Sequence, residues 1–316
     1  MFTFQKFSCF IYNKKKGWKD DKLNKAVKKG KRKNLLTNIL ITVIVFFLGS
    51  ALNSFITKII ASISRNRLEM STKIQISNAY IGKSVDVLGF LGGNSHYTVY
   101  KEVGWRPVPL YSSVSSFGLN SMISSGTGID NFRHKGWDVY HWENGYRQLI
   151  FFHPDIKYKK YKKDFEDFDS IPDDKIIEMG LFFDKKYNLR NLNTLIPNIN
   201  IYWLWLDTYT KEQMARYKKD VNEFSGKSSY IPEGSVLGVR TEGNVVLDNI
   251  FKANYSGLLN RLRKLGYKEV YNYLKERKIP AEIIGVVVYG TKNELKTLIN
   301  NPHIKGATIG VMRNKD

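Results

Sequence analysis

Cysteine is almost missing from this chain of 316 residues, in which Cys9 stands alone. A lone thiol forms no disulfide within the chain and cannot build a structural zinc site from cysteines. Histidine is scarce as well, at positions 96, 134, 141, 153 and 303. His134 and His141 flank Gly136-Trp137, with Glu143 close by, but their spacing is seven and a glycine interrupts. A zinc-protease helix needs two histidines four apart with a glutamate directly after the first. Phosphate loops are missing too. Gly82-Lys83-Ser84 and Gly226-Lys227-Ser228 end like one, yet Ser77 and Val221 stand where the earlier glycine is required. Asp184 and Asp207 close two strand-like runs. Paired carboxylates can do acid–base work, but residues so placed more commonly cap turns. The expectation is a protein that is not an enzyme and takes no cofactor or metal.

Acidic residues are outnumbered, 29 against 50 basic ones, and the net charge is +21. With 19 Tyr, 18 Phe and 6 Trp the chain is too aromatic to be disordered throughout. Charge vanishes altogether from Asn34 to Thr57, a run that is mostly aliphatic up to Leu48. As a helix it would reach about 36 Å, enough for a hydrocarbon core of roughly 30 Å. Residues 1–33 before it hold twelve Lys or Arg against only Asp20 and Asp21. Basic residues beside a span stay in the cytoplasm, so the N-terminus is expected inside and the C-terminal part outside the cell membrane. A cleaved signal peptide would have a shorter leader and a shorter apolar core. The expected boundaries are a basic cytoplasmic tail over 1–33, a single transmembrane helix over 34–57, an extracytoplasmic β-rich part over 58–153 and an α+β repeat domain over 154–316. Asp20-Asp21 are read as the cap of the helix that enters the membrane. Basic residues near the bilayer are attracted to anionic lipid.

Beyond the span, Val85–Leu91, Tyr97–Val103 and Gln148–Phe152 carry the β-branched and aromatic residues of strands. Gly92-Gly93-Asn94-Ser95 and Ser124–Gly128 read as turns between them. Tyr158, Tyr161, Phe165 and Phe168 recur at helical spacing, which predicts an amphipathic helix of about four turns following Pro154. An internal repeat follows. Met179–Asp184, Asn188–Ile196 and Ile199–Leu206 read strand, helix, strand; Ile284–Tyr289, Asn293–Ile299 and Ile304–Val311 repeat that order. A second amphipathic helix is expected from about Tyr255 to Arg277. The predicted class is α+β: one transmembrane helix, a mainly β part, and a ferredoxin-like pseudo-repeat of two strand–helix–strand units.

Three stretches carry a resemblance. Lys22-Leu-Asn-Lys-Ala-Val-Lys-Lys-Gly-Lys-Arg-Lys-Asn-Leu-Leu36 resembles the N-terminal part of the sigma factor regulator family. Glu178–Tyr187 with Ile201-Tyr-Trp-Leu-Trp-Leu-Asp-Thr-Tyr209, and Val286–Leu295 with Asn301-Pro302 and Ile309-Gly310, resemble its C-terminal domain. The resemblance implies a membrane-anchored anti-sigma factor of a low-GC Gram-positive bacterium. Such a protein holds an extracytoplasmic-function sigma factor through its cytoplasmic tail and responds to envelope stress through its outer domain. The partner-binding candidates are then Lys22, Lys25, Lys28, Lys29, Lys31, Arg32 and Lys33. A tail of about 34 residues is small for clamping a sigma factor alone and lacks the His and paired Cys of zinc-containing anti-sigma domains. That leaves room for a second membrane protein in the complex.

The alternative is a non-enzymatic envelope protein that binds anionic wall polymer or a membrane partner. Lys157, Lys159, Lys160, Lys162 and Lys163 interleave with Tyr158 and Tyr161 as polyanion sites do. Outside the cell, direct contact with nucleic acid is not expected, and a wall polymer is the candidate for this stretch.

Overall fold

The computed structural model describes residues 4–123, 132–136, 138–141, 144–223, 230–243, 248–277 and 281–315. The chain divides into two compact units, Met1–Lys58 and Ile59–Asp316.

The first unit holds most of helix α1 (Phe4–Gln75), which continues into the second. Among the described residues α1 is the one helix long and apolar enough to cross a membrane, and it suits a single-pass anchor. It starts at Phe4, so Asp20 and Asp21 lie inside it rather than capping it. Gly17 and Gly30 cost about 1 kcal/mol each relative to alanine. That is too little to break a helix otherwise rich in Lys, Leu and Ile.

In the second unit the chain turns back after α1 into an antiparallel meander of β1 (Ala79–Leu88), β2 (Gly92–Val103) and β3 (Arg106–Gly118), closed by helix α2 (Leu119–Ile123). The Gly92–Ser95 turn expected from composition is not one: these residues open β2, and the turn is at 89–91, where Leu91 adopts φ +48°. Gly93 lies against the Val87 carbonyl, where a Cβ would collide. The glycine is there for close strand approach. The second expected turn, at 124–128, lies outside the described residues.

Strands β4 (Phe132–Lys135) and β5 (Asp138–His141) form a hairpin, and β6 (Ile150–Phe151) pairs with a later strand. No helix follows Pro154. Residues 154–163 are irregular, and only a 3-10 helix, Asp164–Ser170, comes after them. The aromatics at helical spacing serve a different purpose. Tyr158 and Tyr161 pack against Phe152, and the Lys162 carbonyl accepts from the Ala307 N–H at 3.0 Å. A helix would have withdrawn that carbonyl into its own ladder.

The remaining elements are β7 (Lys175–Tyr187), α3 (Leu192–Leu195), β8 (Ile201–Leu206), α4 (Lys211–Glu223), β9 (Ile231–Pro232, the partner of β6), β10 (Gly238–Gly243), α5 (Asp248–Leu265), α6 (Lys268–Lys275), β11 (Ile283–Thr291), α7 (Lys292–Lys296) and β12 (Ile304–Asn314). The helix expected over 255–277 is two helices, parted at Gly266 with φ +85°. Five strands form one antiparallel sheet in the order β10-β8-β11-β7-β12. The two strand–helix–strand units therefore interleave: β11 sits between β7 and β8, and β7 between β11 and β12.

Both faces of this sheet are covered, which explains the unbroken apolar runs of its strands. Met179, Leu181, Leu204, Leu206, Val286 and Val288 face one core, shared with Leu258 and Leu262 of α5. Phe182, Trp203, Trp205, Ile284 and Val287 face another, shared with Val99, Val103 and Leu110 of the meander and with Phe151 and Phe152. Burying a side chain of this size contributes about 1.5–3 kcal/mol. The architecture is α+β: one long apolar helix followed by a β-rich domain.

Candidate functional site: a buried charge cluster where the long helix ends

Lys101 is 1% exposed, a rarity for an ammonium. It comes from β2, between Tyr100 and Glu102. Its Nζ lies 2.6 Å from Glu233 Oε1 and 2.8 Å from Glu178 Oε1, and both carboxylates are as buried as the ammonium. Glu178 belongs to β7 and Glu233 to the segment after β9. Ser77, two residues past α1, joins them: its Oγ is 2.8 Å from Glu233 Oε1 and 2.9 Å from Glu178 Oε1, and its N–H donates to Glu233. The Val311 N–H donates to Glu178 Oε2 at 3.0 Å, and the Tyr289 hydroxyl leans on Oε1. Asn78, at φ +53°, donates through Nδ2 to that tyrosine. Gly310 lies directly against Glu178 Oε2, and a Cβ there would displace the carboxylate.

The proton count is informative. A hydroxyl has one proton to give, yet the Ser77 Oγ touches two carboxyl oxygens. The hydroxyl is shared between the two carboxyls. Burial pushes the Glu178 carboxyl above its ordinary value; Lys101 opposes this and the Glu233 charge adds to it. Burial would lower Lys101, but Glu178 and Glu233 outweigh it and hold the ammonium above its usual value. Raised toward its neutral form, Glu178 shares the Ser77 hydroxyl with Glu233, and the Lys101 ammonium sits between the two carboxyls. His141 is buried nearby and stacks on Tyr111 with centroids 5.3 Å apart; burial depresses its imidazole to about 4, so the ring is neutral. Removing one partner of such a buried group costs far more than the intact group contributes, so the arrangement fixes geometry more than it adds stability.

A second polar knot holds Asp207. Its Oδ2 is 2.8 Å from Lys186 Nζ, and its Oδ1 is 3.4 Å from His153 Nε2. Burial pushes Asp207 up, but His153 and Lys186 outweigh that and bring it to about 2. The Asp155 N–H donates to His153 Nδ1. A ring whose Nδ1 already accepts has no lone pair left for general-base work. Asp184 has different partners, the Tyr187 hydroxyl at 2.8 Å and the His303 ring. The two aspartates thus have separate sets of partners and do not form a pair. Among the described residues no set of His, Cys, Asp or Glu is placed to hold a metal ion.

The expected partner-binding residues Lys22, Lys25, Lys28, Lys29, Lys31, Arg32 and Lys33 are all exposed on α1. Lys22, Lys25, Lys29 and Lys33 recur at three- and four-residue spacing along one side of it. The polyanion candidates are not a helix face. Lys157, Lys159, Lys160 and Lys163 are exposed on the irregular segment, whereas Lys162 is drawn into a network with Asp138 and Asp164. Sequence reasoning missed Lys101, Glu178, Glu233 and Ser77. The signal was present: Lys101-Glu102 and Glu178 are charges inside otherwise apolar strand runs.

Residues 24–108 match the sigma factor regulator N-terminal model, and residues 168–311 match the sigma factor regulator C-terminal model. The chain belongs to the sigma factor regulator family. No curated protein and no solved structure matches it. In this sigma factor regulator, Ser77 and Lys101 come from the N-terminal match and Glu178, Glu233 and Tyr289 from the C-terminal one. The charge cluster is where the two matched parts meet. The family supports an anti-sigma-factor regulatory role, with a sigma factor as partner.

Proposed function

We propose that the protein is a membrane-anchored anti-sigma factor with its tail in the cytoplasm and its C-terminal domain outside. The tail, through Lys22, Lys25, Lys28, Lys29, Lys31, Arg32 and Lys33, holds an extracytoplasmic-function sigma factor at the membrane. A second membrane protein would complete this small surface. The outer domain, 58–153 together with 154–316, responds to envelope stress.

The observation that carries this reading is α1 itself. It is one helix from Phe4 to Gln75, and the residues just after it, Ser77 and Asn78, are bonded into the buried charge cluster. A change in the outer domain that moves the cluster would therefore act on the residues at the end of the helix that carries the tail. The split strand order β8-β11-β7-β12 also supports the ferredoxin-like reading of the C-terminal half.

Co-purification of the full chain from membranes with each sigma factor of the cell tests the proposal. One sigma factor should be retained and then lost when Lys28, Lys29, Lys31, Arg32 and Lys33 are changed to glutamate. Retention of none, with or without co-expressed membrane proteins, would refute it.

The exposed Lys157, Lys159, Lys160 and Lys163 favour a second reading, in which the outer domain also grips anionic wall polymer.

A further inference from the structure

We propose that the β1–β2 hairpin tip, together with α2, is a second membrane contact that rests in the interfacial layer of the bilayer surface. It deepens the anchor reading above and depends on it.

Three observations converge. First, the tip is apolar and bare. Phe90 is 72% and Met122 83% exposed, and Val85, Val87, Leu88 and Leu119 beside them are exposed as well. Register places Val85, His96 and Val114 in one row across the meander, so β1 and β3 extend this surface on one sheet face. An exposed apolar surface of this extent is unusual on a water-facing domain. Second, the region is free of charge. No charged residue occurs between Asp86 and Lys101 or between Arg106 and Asp130, in a protein that is 25% charged. What is not apolar there is Ser, Thr, Asn, Gly, Tyr and the single His96, which tolerate the polar–apolar boundary; a carboxylate would be repelled by an anionic lipid surface.

The third observation supplies the place. Arg65 of α1 is ion-paired with Asp86 of β1. Strand β1 begins after the end of α1, at Ala79, and by Asp86 has returned to the level of Arg65. It therefore runs antiparallel to the helix, back toward the point where the chain enters this unit. That entry, Ile59, is six residues before Arg65, about 9 Å along a helix. From Asp86 the strand continues to Leu88, about 7 Å in the same direction, before the turn at 89–91. The uncharged run ends at Thr57, two residues before the unit begins. The tip thus reaches about the level of Ile59, where the chain enters this unit. Two backbone bonds hold the tip in shape. The Gly89 N–H donates to the Gly92 carbonyl at 2.7 Å, and the Leu119 N–H to the Leu91 carbonyl at 3.0 Å, tying α2 to the hairpin. The opposite hairpin, at Trp105, points away from this end and packs edge-on against Tyr202. An aromatic on the turn and a flexible thioether on α2 are side chains an interfacial contact uses.

The test uses the full chain in phosphatidylglycerol–phosphatidylethanolamine vesicles. In a Cys9→Ser background, nitroxide labels are placed through Phe90→Cys, Met122→Cys, Trp105→Cys and Val43→Cys. Each is read for relaxation by oxygen, which partitions into lipid, and by a water-soluble nickel chelate. The Phe90 and Met122 labels should show an oxygen-to-nickel ratio several-fold above that at Trp105 and below that at Val43. Equal ratios at Phe90 and Trp105, with Val43 deep in lipid, would overturn the tip contact and leave the anchor standing. Phe90 shielded from both reagents would mean a protein partner or a second copy covers it, which also overturns the proposal. Val43 open to the nickel chelate would remove the anchor and the tip contact together.

Discussion

Lys101→Met is the sharpest perturbation the structure offers. Methionine nearly keeps the volume of the lysine stem, so the change removes charge more than packing. Left without the ammonium, the two buried glutamates cannot both do without a proton. Glu178 is already biased toward its neutral form by burial. The remaining buried carboxylate must then be neutralised as well. Against an ordinary glutamate value of about 4.3, taking up that proton at pH 7 costs about 3.7 kcal/mol, and at pH 5 about 1 kcal/mol. The expected destabilisation is therefore about 3–4 kcal/mol at neutral pH, in line with the penalty for breaking a buried ion pair, and it should shrink severalfold at pH 5. Denaturant unfolding of the micelle-held chain, followed by the fluorescence of the buried Trp203 and Trp205, measures both values. The triple change Lys101→Met, Glu178→Gln, Glu233→Gln should recover most of the loss, because no buried charge is left to neutralise. A deficit below about 1 kcal/mol at pH 7, or one that does not shrink on acidification, would refute the charge-balance argument.

Other consequences can be measured alongside. Gly310→Ala places a Cβ against Glu178 Oε2 and Leu149 and should cost about 1–3 kcal/mol, as overpacking does; no change in the unfolding midpoint would contradict the close approach. His141 is depressed to about 4 in the fold, so the stability it contributes is fully present above its unfolded value near 6.5 and lost as pH falls through 4. The loss at pH 4 is about 3 kcal/mol, and His141→Gln should flatten stability between pH 6.5 and 4 relative to the parent chain. Reversing Lys157, Lys159, Lys160 and Lys163 to glutamate should abolish sedimentation with anionic wall preparations and leave sigma-dependent transcription unchanged; undiminished sedimentation removes the wall-polymer reading. Protease added to intact cells should destroy the C-terminal half, and its survival there would overturn the proposed orientation.

Much of this was legible locally. An uncharged run beside a lysine-rich tail announces a membrane helix because both length and charge are set by the bilayer, residue by residue. The apolar runs of β7, β8 and β11 announced strands covered on two faces. The matched order of Met179–Leu206 and Ile284–Val311 announced a repeated unit. Where the sequence misled, a side chain had a distant partner. Tyr158 and Tyr161 have helical spacing, but they lie on Phe152, and the Lys162 carbonyl serves Ala307. Gly92-Gly93 has turn composition, but it lets β2 lie close against β1.

Sequence alone thus pointed to most of the strands, the long apolar helix and the family, which depend on neighbours within a few turns or one strand. Tertiary structure decided the site. Lys101 meets Glu178 across 77 residues and Glu233 across 132, and Ser77 reaches Glu233 across 156. A charge in an apolar strand signals that a partner must exist, since burying it alone costs several kcal/mol. Which partner it finds is fixed only when the meander, the sheet and the end of the long helix close on one another.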